Sequence, residues 1–507
     1  MNREENCYQN KPIFLPSFHE FSLASKCNYY KDLVEYVNNL MDKSIPPENI
    51  FKSYDIRGIY PEELNEEFAI PITRAIYKLI SDQLSSTKPL TIAVGRDMRL
   101  SSPAIFKAVS KTLVELGAKV IDLGIVSTPT FYFAVFKYGF DGGIQITASH
   151  NPKEYNGLKI VRRSPTGLVK IGKNTGMSEI KHRSREGVDM VSRGKGSIIQ
   201  REDVLEEEVQ NALRIAGHPE IKKFKIVADA ANALGGLYID CLFKVVPGEL
   251  IKMNFELDGT FPAHQADPLQ KETLKDLQKK VVEEKADLGL APDGDGDRLF
   301  FIDEKGQIIL PSLITALVAK ELLSEKQGQK ILFDIRYILT PKKIVEEYLG
   351  EYEITKVGHA FITEKMHETG AIFAGESSAH YYFKETGNAE SQLPVILIVL
   401  KVMTREGKPI SEIIESLKRS HESGETNFRV KNALEIIETL KEKYSDAEIS
   451  TLDGVAVSYK DWRFSLRTSN TEPLLRLNIE HVGKEALEDK KQELLAEIEK
   501  HAVFEEE

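Results

Sequence analysis

One order of apolar and polar segments repeats three times along the chain. An apolar run that predicts a strand is followed by a helical stretch and then by a second apolar run. The order occurs from TIAVGRD to AKVIDLG (91–124), from FKIVAD to GELIKMN (224–254) and from KILFDIR to YEITKVG (330–358). An aspartate marks the end of each first run: Asp97, Asp229 and Asp334. Strand, helix and strand in this order predict largely parallel or mixed sheets, so we expect three related α/β domains in tandem.

The two ends of the chain follow different patterns. Near the N-terminus, five apolar residues at helical spacing predict one amphipathic helix: Leu33, Tyr36, Val37, Leu40 and Met41. Near the C-terminus, helical patterns around 431–445 and 484–500 bracket the apolar runs GVAVSY and LLRLNIE. This arrangement indicates a smaller α+β domain at the end of the chain.

Changes in composition suggest where the domains meet. Candidate linkers lie near 190–200, 303–310 and 415–425, and the first of them is rich in Arg, Lys, Gly and Ser. We therefore expect an N-terminal extension followed by four domains, with these bounds: 1–45, 46–198, 199–304, 305–418 and 419–507.

Composition narrows the class of protein. Of the 507 residues, 41% are hydrophobic and 29% are charged, which is typical of a globular protein. Lys and Arg number 67 against 78 Asp and Glu, and the net charge of −11 argues against nucleic acid as a partner. Three distant cysteines (Cys7, Cys27 and Cys241) favour a reducing compartment over a disulfide framework or a zinc site. No apolar stretch suits a membrane span or a secretory signal, so we expect a cytoplasmic protein without membrane contact.

The segment GGIQITASHNPKEYNGLKIV (142–161) carries a candidate nucleophile. Alternating apolar residues in GIQIT predict a strand that runs into a turn at Ser149. This position gives Ser149 an exposed hydroxyl at the carboxyl end of a strand, where α/β folds place their sites. His150 and Lys159 lie close by in sequence. The surrounding residues do not form a G-x-S-x-G elbow, which leaves acyl-hydrolase chemistry unsupported.

The segment DLGLAPDGDGDRLFFIDEKG (287–306) predicts a metal site. Asp293, Asp295 and Asp297 alternate with glycines, so their hard oxygen ligands can converge on one Mg²⁺ or Ca²⁺ when the loop curls. An EF-hand is the rival interpretation. It is disfavoured because Arg298 occupies the position that requires glycine, and because the flanking segments predict strands, not helices.

Three further segments complete the candidate chemistry. RTSNTEP (467–473) offers the guanidinium of Arg467 beside hydroxyl and amide donors, a suitable cradle for a phosphate dianion. GESSAH (375–380) offers polar groups that can read sugar hydroxyls, and FKSYDIRG (51–58) contributes Arg57. A hydroxyl nucleophile, a divalent cation site and a phosphate clamp together predict phosphoryl transfer, which depends mostly on positioning and charge neutralisation.

Four motifs in this order, TASHNP, DGDGDR, GE-x-S-x-H and R-x-SNT, make the chain similar to a known family. It resembles the α-D-phosphohexomutase superfamily, and within it the bacterial phosphomannomutase and phosphoglucomutase group, over roughly residues 50–507. The resemblance implies three related α/β domains with mixed sheets and a smaller C-terminal α+β domain around a central cleft. The four domains would then carry, in order, the phosphoserine, the metal, the sugar site and the phosphate site. Residues 1–45 have no counterpart in the family, and Ser377 stands where methionine is common.

The same resemblance assigns roles to residues of this chain. It implies that Ser149 is the phosphoserine, surrounded by Arg57, His150 and Lys159. It implies that Asp293, Asp295 and Asp297 hold Mg²⁺ together with a phosphoserine oxygen. The remaining residues it places at the substrate are Arg298, Arg336, His359, Glu376, Ser378, His380, Arg467, Ser469, Asn470 and Thr471.

The expected activity is the interconversion of mannose 1-phosphate and mannose 6-phosphate, with glucose phosphates as further substrates. The family route passes through a hexose 1,6-bisphosphate, which also serves as activator. Three alternatives stay open at this point: a phosphoglucosamine mutase, a metal-dependent sugar phosphatase and a non-catalytic descendant. Hexose phosphates are the expected partners, and a monomer and a dimer are both compatible with the sequence.

Overall fold

The structure is a computed structural model that describes residues 45–188, 194–468 and 474–503. The chain divides into two units, Met1–Ile45 and Pro46–Glu507, and the architecture is that of the second. The helix predicted over Leu33–Met41 lies outside the described residues, as do Ser469, Asn470 and Thr471 of the predicted phosphate clamp.

The first sheet has seven strands in the order β1-β5-β4-β2-β3-β7, with β6 paired to β5. Its strands are β1 (Ile56–Ile59), β2 (Thr91–Arg96), β3 (Lys119–Ile125), β4 (Gly142–Ile146), β5 (Tyr155–Ser164), β6 (Gly167–Lys170) and β7 (Ser197–Gln200). Its helices are α1 (Glu66–Gln83), α2 (Ser102–Glu115), α3 (Thr128–Lys137) and α4 (Met177–Glu186). The neighbours β3, β2 and β4 are parallel, whereas β5 runs antiparallel to β4, so the sheet is mixed.

The second sheet has five strands in the order β12-β11-β10-β8-β9. Its strands are β8 (Phe224–Asp229), β9 (Gly248–Met253), β10 (Leu288–Pro292), β11 (Leu299–Asp303) and β12 (Ile308–Ile309). Its helices are α5 (Val204–Ile215), α6 (Gly235–Phe243) and α7 (Lys275–Glu284).

The third sheet has five strands in the order β14-β13-β15-β16-β17. Its strands are β13 (Lys330–Asp334), β14 (Glu351–Thr355), β15 (Phe373–Gly375), β16 (Tyr381–Phe383) and β17 (Ala389–Glu390). Its helices are α8 (Pro311–Glu325), α9 (Leu339–Glu347), α10 (His359–Thr369), α11 (Leu393–Glu406) and α12 (Ile410–Leu417). Short 3₁₀ turns occur at Glu48–Ile50, Lys271–Leu274 and Lys384–Thr386.

The three sheets share one strand order. In each, the first strand of the repeat lies between the second and the third as parallel neighbours, and the fourth strand runs antiparallel to the third. The groups of strands are β3-β2-β4-β5, β9-β8-β10-β11 and β14-β13-β15-β16. The prediction of three related α/β domains with mixed sheets is confirmed.

The fourth sheet differs because all its pairings are antiparallel. Its order is β18-β23-β22-β21-β20, with β19 paired to β23. Its strands are β18 (His421–Glu422), β19 (Thr426–Phe428), β20 (Glu448–Ser450), β21 (Val455–Ser458), β22 (Trp462–Thr468) and β23 (Leu475–His481). Its helices α13 (Ala433–Lys443) and α14 (Lys484–His501) match the two helical patterns read from the sequence.

Helix α11 joins the second and third domains. Its apolar run, residues 393–400, is buried on all sides, and the helix packs on α5, α6 and α8. One hydrophobic core therefore extends from the second sheet into the third, and separate clusters fill the first and fourth domains. Among the described residues, no helix combines the length and the apolar character needed to cross a bilayer.

All three predicted linkers contain strands, and in the third of them His421–Glu422 pairs with β23. Ser197–Gln200 pairs with β3 as an exposed edge strand, and Ile308–Ile309 pairs with β11. Both are too short to show strand periodicity, and backbone pairing rather than side-chain burial places Ser197–Gln200 in its sheet.

Candidate functional site

Three loops at equivalent places in the three sheets form the site. Each one connects the third strand of its repeat to the antiparallel fourth: residues 147–154 after β4, residues 293–298 after β10 and residues 376–380 after β15. We call them the serine loop, the metal loop and the sugar loop. A hydrogen bond joins the serine loop to the metal loop. The pair of Asp297 with His380 joins the metal loop to the sugar loop. The equivalent position in the sheets thus brings three separate sequence motifs together.

Ser149 occupies a constrained position in the serine loop. Its φ angle is +53°, in the left-handed region that non-glycine residues rarely adopt. Its Oγ lies 3.1 Å from Asp293 Oδ2 and 3.1 Å from His150 Nδ1. The sequence predicted an exposed hydroxyl, but only 3% of Ser149 is exposed because the metal loop packs directly against it. A Cβ at Gly294 would approach the carbonyl oxygen of Ser149 to 2.3 Å, so glycine permits this contact.

The three aspartates of the metal loop form a compact acidic group. All three are buried, and carboxylate oxygens from each lie within 4.8 Å of one another. Gly296 has a φ of +77°, which allows the loop to curl and turn the carboxylates inward. Asp295 Oδ1 has no hydrogen-bond partner among the described residues. Three buried carboxylates and the Ser149 hydroxyl supply the hard oxygen donors that Mg²⁺ prefers, so the residues present fit a divalent cation.

Lys159 links the first domain to this acidic group. Its Nζ lies 2.6 Å from Asp295 Oδ2 and 2.5 Å from Asp297 Oδ2. Burial alone would lower the pKa of Lys159, but the charges of Asp295 and Asp297 outweigh it and raise that pKa well above its ordinary value. Burial and the negative charges of Asp297 and Asp295 raise the pKa of Asp293. Burial opposes ionisation of Asp297 as well, yet Lys159 and His380 hold its pKa below the ordinary range.

Two further predicted residues border the serine. Arg57 lies on β1, where its guanidinium binds Asp55 and donates to Asn151 Oδ1 at 2.6 Å. His150 carries an imidazole whose pKa is lowered by burial and by the charges of Arg298 and Arg57. The structure therefore places His150 at Ser149 Oγ, Arg57 at Asn151 of the serine loop, and Lys159 at the carboxylates of the metal loop.

The sugar loop is connected to the metal loop through His380. Its Nε2 lies 3.2 Å from Asp297 Oδ1, and its Nδ1 lies 3.0 Å from Glu376 Oε2 and 3.0 Å from Ser378 Oγ. Burial disfavours the imidazolium, but Asp297 and Glu376 raise the pKa of His380 to about 9. Burial is likewise outweighed at Glu376, where His380 and Arg336 lower the pKa of the carboxyl. A positive imidazolium between two carboxylates therefore holds the two loops together.

Arg336 and His359 belong to the third domain, as the sugar loop does. Arg336 is bound by Asp334 through two hydrogen bonds of 2.9 Å and donates to Ser378 Oγ at 3.2 Å. Asp334 also accepts the backbone N–H of Ser377 at 2.6 Å. His359 is the first residue of α10, and its Nδ1 has no partner among the described residues. Arg336 thus contacts the sugar loop directly. The residue before His359, Gly358, donates its N–H to Glu376 Oε1 at 3.0 Å, which places the start of α10 beside that loop.

The fourth domain contributes Arg467 at the end of β22. Its side chain is buried and pairs with Glu425 at 3.3 Å, while Arg476 of β23 approaches the same carboxylate at 3.4 Å. Ser469, Asn470 and Thr471 follow Arg467 in sequence and lie outside the described residues. Within the described part of the chain, Arg467 is the predicted clamp residue whose surroundings are seen.

Sequence reasoning missed several residues of the site. Thr128 donates to Asp295 Oδ2 at 2.6 Å, and Gln392 donates to the carbonyl of Asp297 at 2.5 Å. No local pattern indicates either residue, because each acts across a domain border. Asp334 and Arg99 could have been found, since each belongs to an Asp-x-Arg pair that follows the first strand of its repeat.

Four domain models of one enzyme family match the chain in order. They are α/β/α domains I, II and III of phosphoglucomutase/phosphomannomutase at residues 48–178, 207–306 and 311–420, and the C-terminal domain at 425–497. The chain belongs to the phosphoglucomutase/phosphomannomutase family. The resemblance drawn from the motifs is thereby confirmed.

Individual relatives cover most of the chain. A phosphomannomutase of Vibrio cholerae is 39% identical over 457 residues, covering 88% of this chain and 97% of that protein. A phosphomannomutase of Escherichia coli K12 is 36% identical, covering 85% and 95%. A crystal structure of a phosphoglucomutase/phosphomannomutase family protein from Burkholderia thailandensis superimposes with a TM-score of 0.80 at 31% identity, covering 90% of this chain and 98% of that one.

Proposed function

We propose that this protein is a phosphohexomutase that interconverts mannose 1-phosphate and mannose 6-phosphate and accepts the glucose phosphates as well. The observation that carries the proposal is the position of Ser149 Oγ, 3.1 Å from the acidic group of the metal loop. The phosphomannomutase relatives at 36–39% identity support the same assignment. We assign the four domains to residues 46–198, 199–304, 305–418 and 419–507.

The reaction consists of two transfers through Ser149. In the first, the bond between phosphorus and Ser149 Oγ breaks, and the phosphorus bonds to the free hydroxyl oxygen of the hexose monophosphate. The hydroxyl proton passes to a base, and a hexose 1,6-bisphosphate results. After the sugar turns over, the other phosphoryl group returns to Ser149 Oγ and the proton returns to the sugar oxygen. Phosphoryl and proton are conserved, so no net phosphate is released.

Residues of the first two domains stabilise the transfer. Asp293, Asp295 and Asp297, with an oxygen of the phosphoserine, would hold Mg²⁺. The ion supplies charge neutralisation at the phosphoryl group when bound. Arg57 and Lys159 carry positive charge beside Ser149, where they can stabilise the equatorial oxygens of the group in transfer.

Two side chains are placed to take the hydroxyl proton. His150 Nδ1 lies 3.1 Å from Ser149 Oγ, and Lys159 Nζ lies against the carboxylates of the metal loop. His150 Nδ1 lies within hydrogen-bond reach of the reacting serine oxygen, as a general base requires. Lys159 is held in its charged form because Asp295 and Asp297 raise its pKa, so it would have to lose that proton before it could act as the base. The variants His150→Gln and Lys159→Met distinguish the two candidates for the base. Replacement of the base removes the proton acceptor and lowers kcat, whereas replacement of the other residue changes mainly the charge beside the phosphoryl group.

The third and fourth domains bind the sugar phosphate. Glu376 and Ser378 face hydroxyls that mannose and glucose share, since the two sugars differ only at C2. A loop that binds only these shared hydroxyls accepts both sugars. Beyond this pair, the residues assigned to substrate are Arg298, Arg336, His359, His380, Arg467, Ser469, Asn470 and Thr471.

A coupled mutase assay tests the proposal. Purified protein with Mg²⁺ and trace glucose 1,6-bisphosphate is given mannose 1-phosphate, glucose 1-phosphate or glucosamine 1-phosphate. We expect rapid formation of mannose and glucose 6-phosphates without free phosphate. Turnover of the glucosamine compound alone would overturn the substrate assignment, and phosphate release without isomerisation would indicate a phosphatase.

A further inference from the structure

The serine loop requires an external support that the proposed chemistry does not explain. A non-glycine residue with a φ of +53° carries about 1–3 kcal/mol of backbone strain unless its surroundings compensate. Ser149 has a β-carbon and must nevertheless present its Oγ in one direction. The hydrogen bond from its backbone N–H to Thr147 Oγ1, at 3.0 Å, fixes only one side of the turn.

Arg99 lies beneath this loop and binds its backbone. Its two terminal nitrogens donate to four carbonyl oxygens: those of Ser149 at 2.9 Å, Asn151 at 2.7 Å, Pro152 at 2.6 Å and Tyr155 at 3.0 Å. Its Nε donates to Asp97 Oδ2 at 3.0 Å, so all five N–H donors are used. One planar guanidinium therefore fixes the carbonyl directions of Ser149 and of the three residues after it that the side chain binds.

The surroundings of Arg99 exclude a direct role at the substrate. Its side chain is fully buried, and the ring of Phe261 from the second domain covers the guanidinium at 5.1 Å. Its charge is balanced by Asp97, which is also oriented by the hydroxyl of Ser102 at 2.5 Å. Arg99 thus fixes the conformation of the loop and adds little net charge to the site.

The third domain uses the corresponding pair differently. Asp334 and Arg336 stand at the same place after the first strand, but Arg336 turns towards the sugar loop and donates to Ser378. The second domain has Ala231 at this position and no guanidinium. Among the described residues of the three α/β domains, an arginine at this position that binds loop carbonyls is therefore found only in the domain that carries the serine.

We propose that Arg99 is a positioning residue for phosphoryl transfer, which holds Ser149 in its left-handed conformation by binding three carbonyls of the serine loop and that of Tyr155, where β5 begins. The inference rests on the proposed function, because it assumes that Ser149 accepts the phosphoryl group. Lysine cannot replace this arginine, since one ammonium nitrogen cannot reach four carbonyls that a planar fork binds together.

The test is a single-turnover measurement. Dephosphorylated protein with Mg²⁺ is mixed with radiolabelled glucose 1,6-bisphosphate, and the rate constant and amplitude of labelling are recorded. The amplitude reports the folded fraction, whereas the rate constant does not depend on it. For Arg99→Lys we expect a rate constant about 10²-fold lower and an unchanged KM for mannose 1-phosphate. The matched control is Arg96→Lys at the end of β2, where Arg96 pairs with Asp122 and lies over the ring of Phe106.

Each outcome bears on the inference. A rate constant for Arg99→Lys within threefold of wild type, with Ser149→Ala unlabelled, would overturn it and leave the proposed function intact. Labelling of Ser149→Ala at the wild-type level, or no labelling of wild type, would overturn both. Should Arg99→Lys fail to fold, Asp97→Asn keeps an oxygen acceptor for the N–H of Arg99 and for Ser102 but loses the charged oxygen that binds Nε. We expect a rate constant roughly 3- to 10-fold lower. An unchanged rate for Asp97→Asn would also count against the inference.

Discussion

Ser149 Oγ and Asp293 Oδ2 lie 3.1 Å apart although the two residues are 144 positions apart in the chain and belong to different sheets. The contact places a hydroxyl at the edge of the acidic group on the metal loop. A phosphoryl group on that hydroxyl would lie where a cation can be held, and this relationship underlies the predictions that follow.

Replacement of the serine should abolish mutase activity. Ser149→Ala removes the oxygen that carries the phosphoryl group, so we expect at least a 10³-fold fall in kcat. The measurement is the coupled assay with mannose 1-phosphate. Ser164→Ala, at the last residue of β5, is the control and should retain wild-type activity. Substantial activity of Ser149→Ala would refute the assignment of the phosphoserine.

Neutralisation of one carboxylate should weaken metal binding. Asp295→Asn removes a charged oxygen ligand, and we expect Mg²⁺ affinity measured by calorimetry to fall by about 10-fold or more. Asp303→Asn, at the end of the same hairpin, keeps its role as an acceptor for turn amides and should bind Mg²⁺ as wild type does. Equal affinities in the two variants would place the ion elsewhere.

Substitution in the sugar loop should act on substrate binding more than on turnover. Glu376→Gln replaces a charged hydrogen-bond acceptor with a neutral one, and each hydrogen bond to a charged group is worth about 1.5–3 kcal/mol. We expect KM for mannose 1-phosphate to rise about 10-fold with a smaller change in kcat. A fall in kcat alone, at unchanged KM, would argue that Glu376 does not touch the sugar.

Stability should depend on pH through Glu208 of α5. Burial raises its pKa from 4.5 to about 7, although a hydrogen bond from Thr130 opposes the shift. Below pH 4.5 the carboxyl is protonated in both the folded and the unfolded chain. As pH rises towards 7 only the unfolded chain ionises, so stability falls and then levels off above pH 7. Glu208→Gln should therefore match wild type near pH 4.5 and exceed its unfolding free energy by up to about 3 kcal/mol at pH 8.

Urea unfolding of the two proteins at both pH values measures this difference. A constant difference across the range would show that Glu208 does not titrate in this window.

A buried ion pair should couple the first and third domains. Lys170 of β6 and Glu390 of β17 form a salt bridge in the interior, with the rings of Tyr132 and Tyr382 at 4.8 and 5.0 Å from the ammonium. Lys170→Met leaves a buried carboxylate without its partner, and we expect a loss of about 3–5 kcal/mol in unfolding free energy.

The double variant Lys170→Met with Glu390→Leu should recover most of that loss, since no unpaired charge remains. Lys78→Met, in the exposed pair with Asp82, is the control and should change stability by less than about 1 kcal/mol. A double variant no more stable than the single one would mean that packing, not charge, explains the effect.

Much of the fold was predictable because the strands of the α/β domains are continuous apolar runs ended by turn residues. The metal loop was predictable for a related reason: three aspartates that alternate with glycines between two such runs are typical of a loop that binds a divalent cation. The convergence of the loops followed from the family resemblance and not from any local pattern. Thr128 was missed because it meets Asp295 across 167 positions, and nothing in either local sequence specifies the other. The edge strand Ser197–Gln200 was missed because four exposed residues give no periodic signal.

The serine, metal and sugar loops each follow the third strand of a sheet with one shared strand order. A single ancestral module, copied three times, would give this arrangement, with each copy free to specialise at the same loop. This separation of roles among the three copies has a consequence for how the activity can evolve. On the proposed assignment of the loops, substitutions in the third copy would alter which sugar is accepted while the phosphoryl chemistry of the first two stays intact, so new substrate ranges could arise without rebuilding the catalyst.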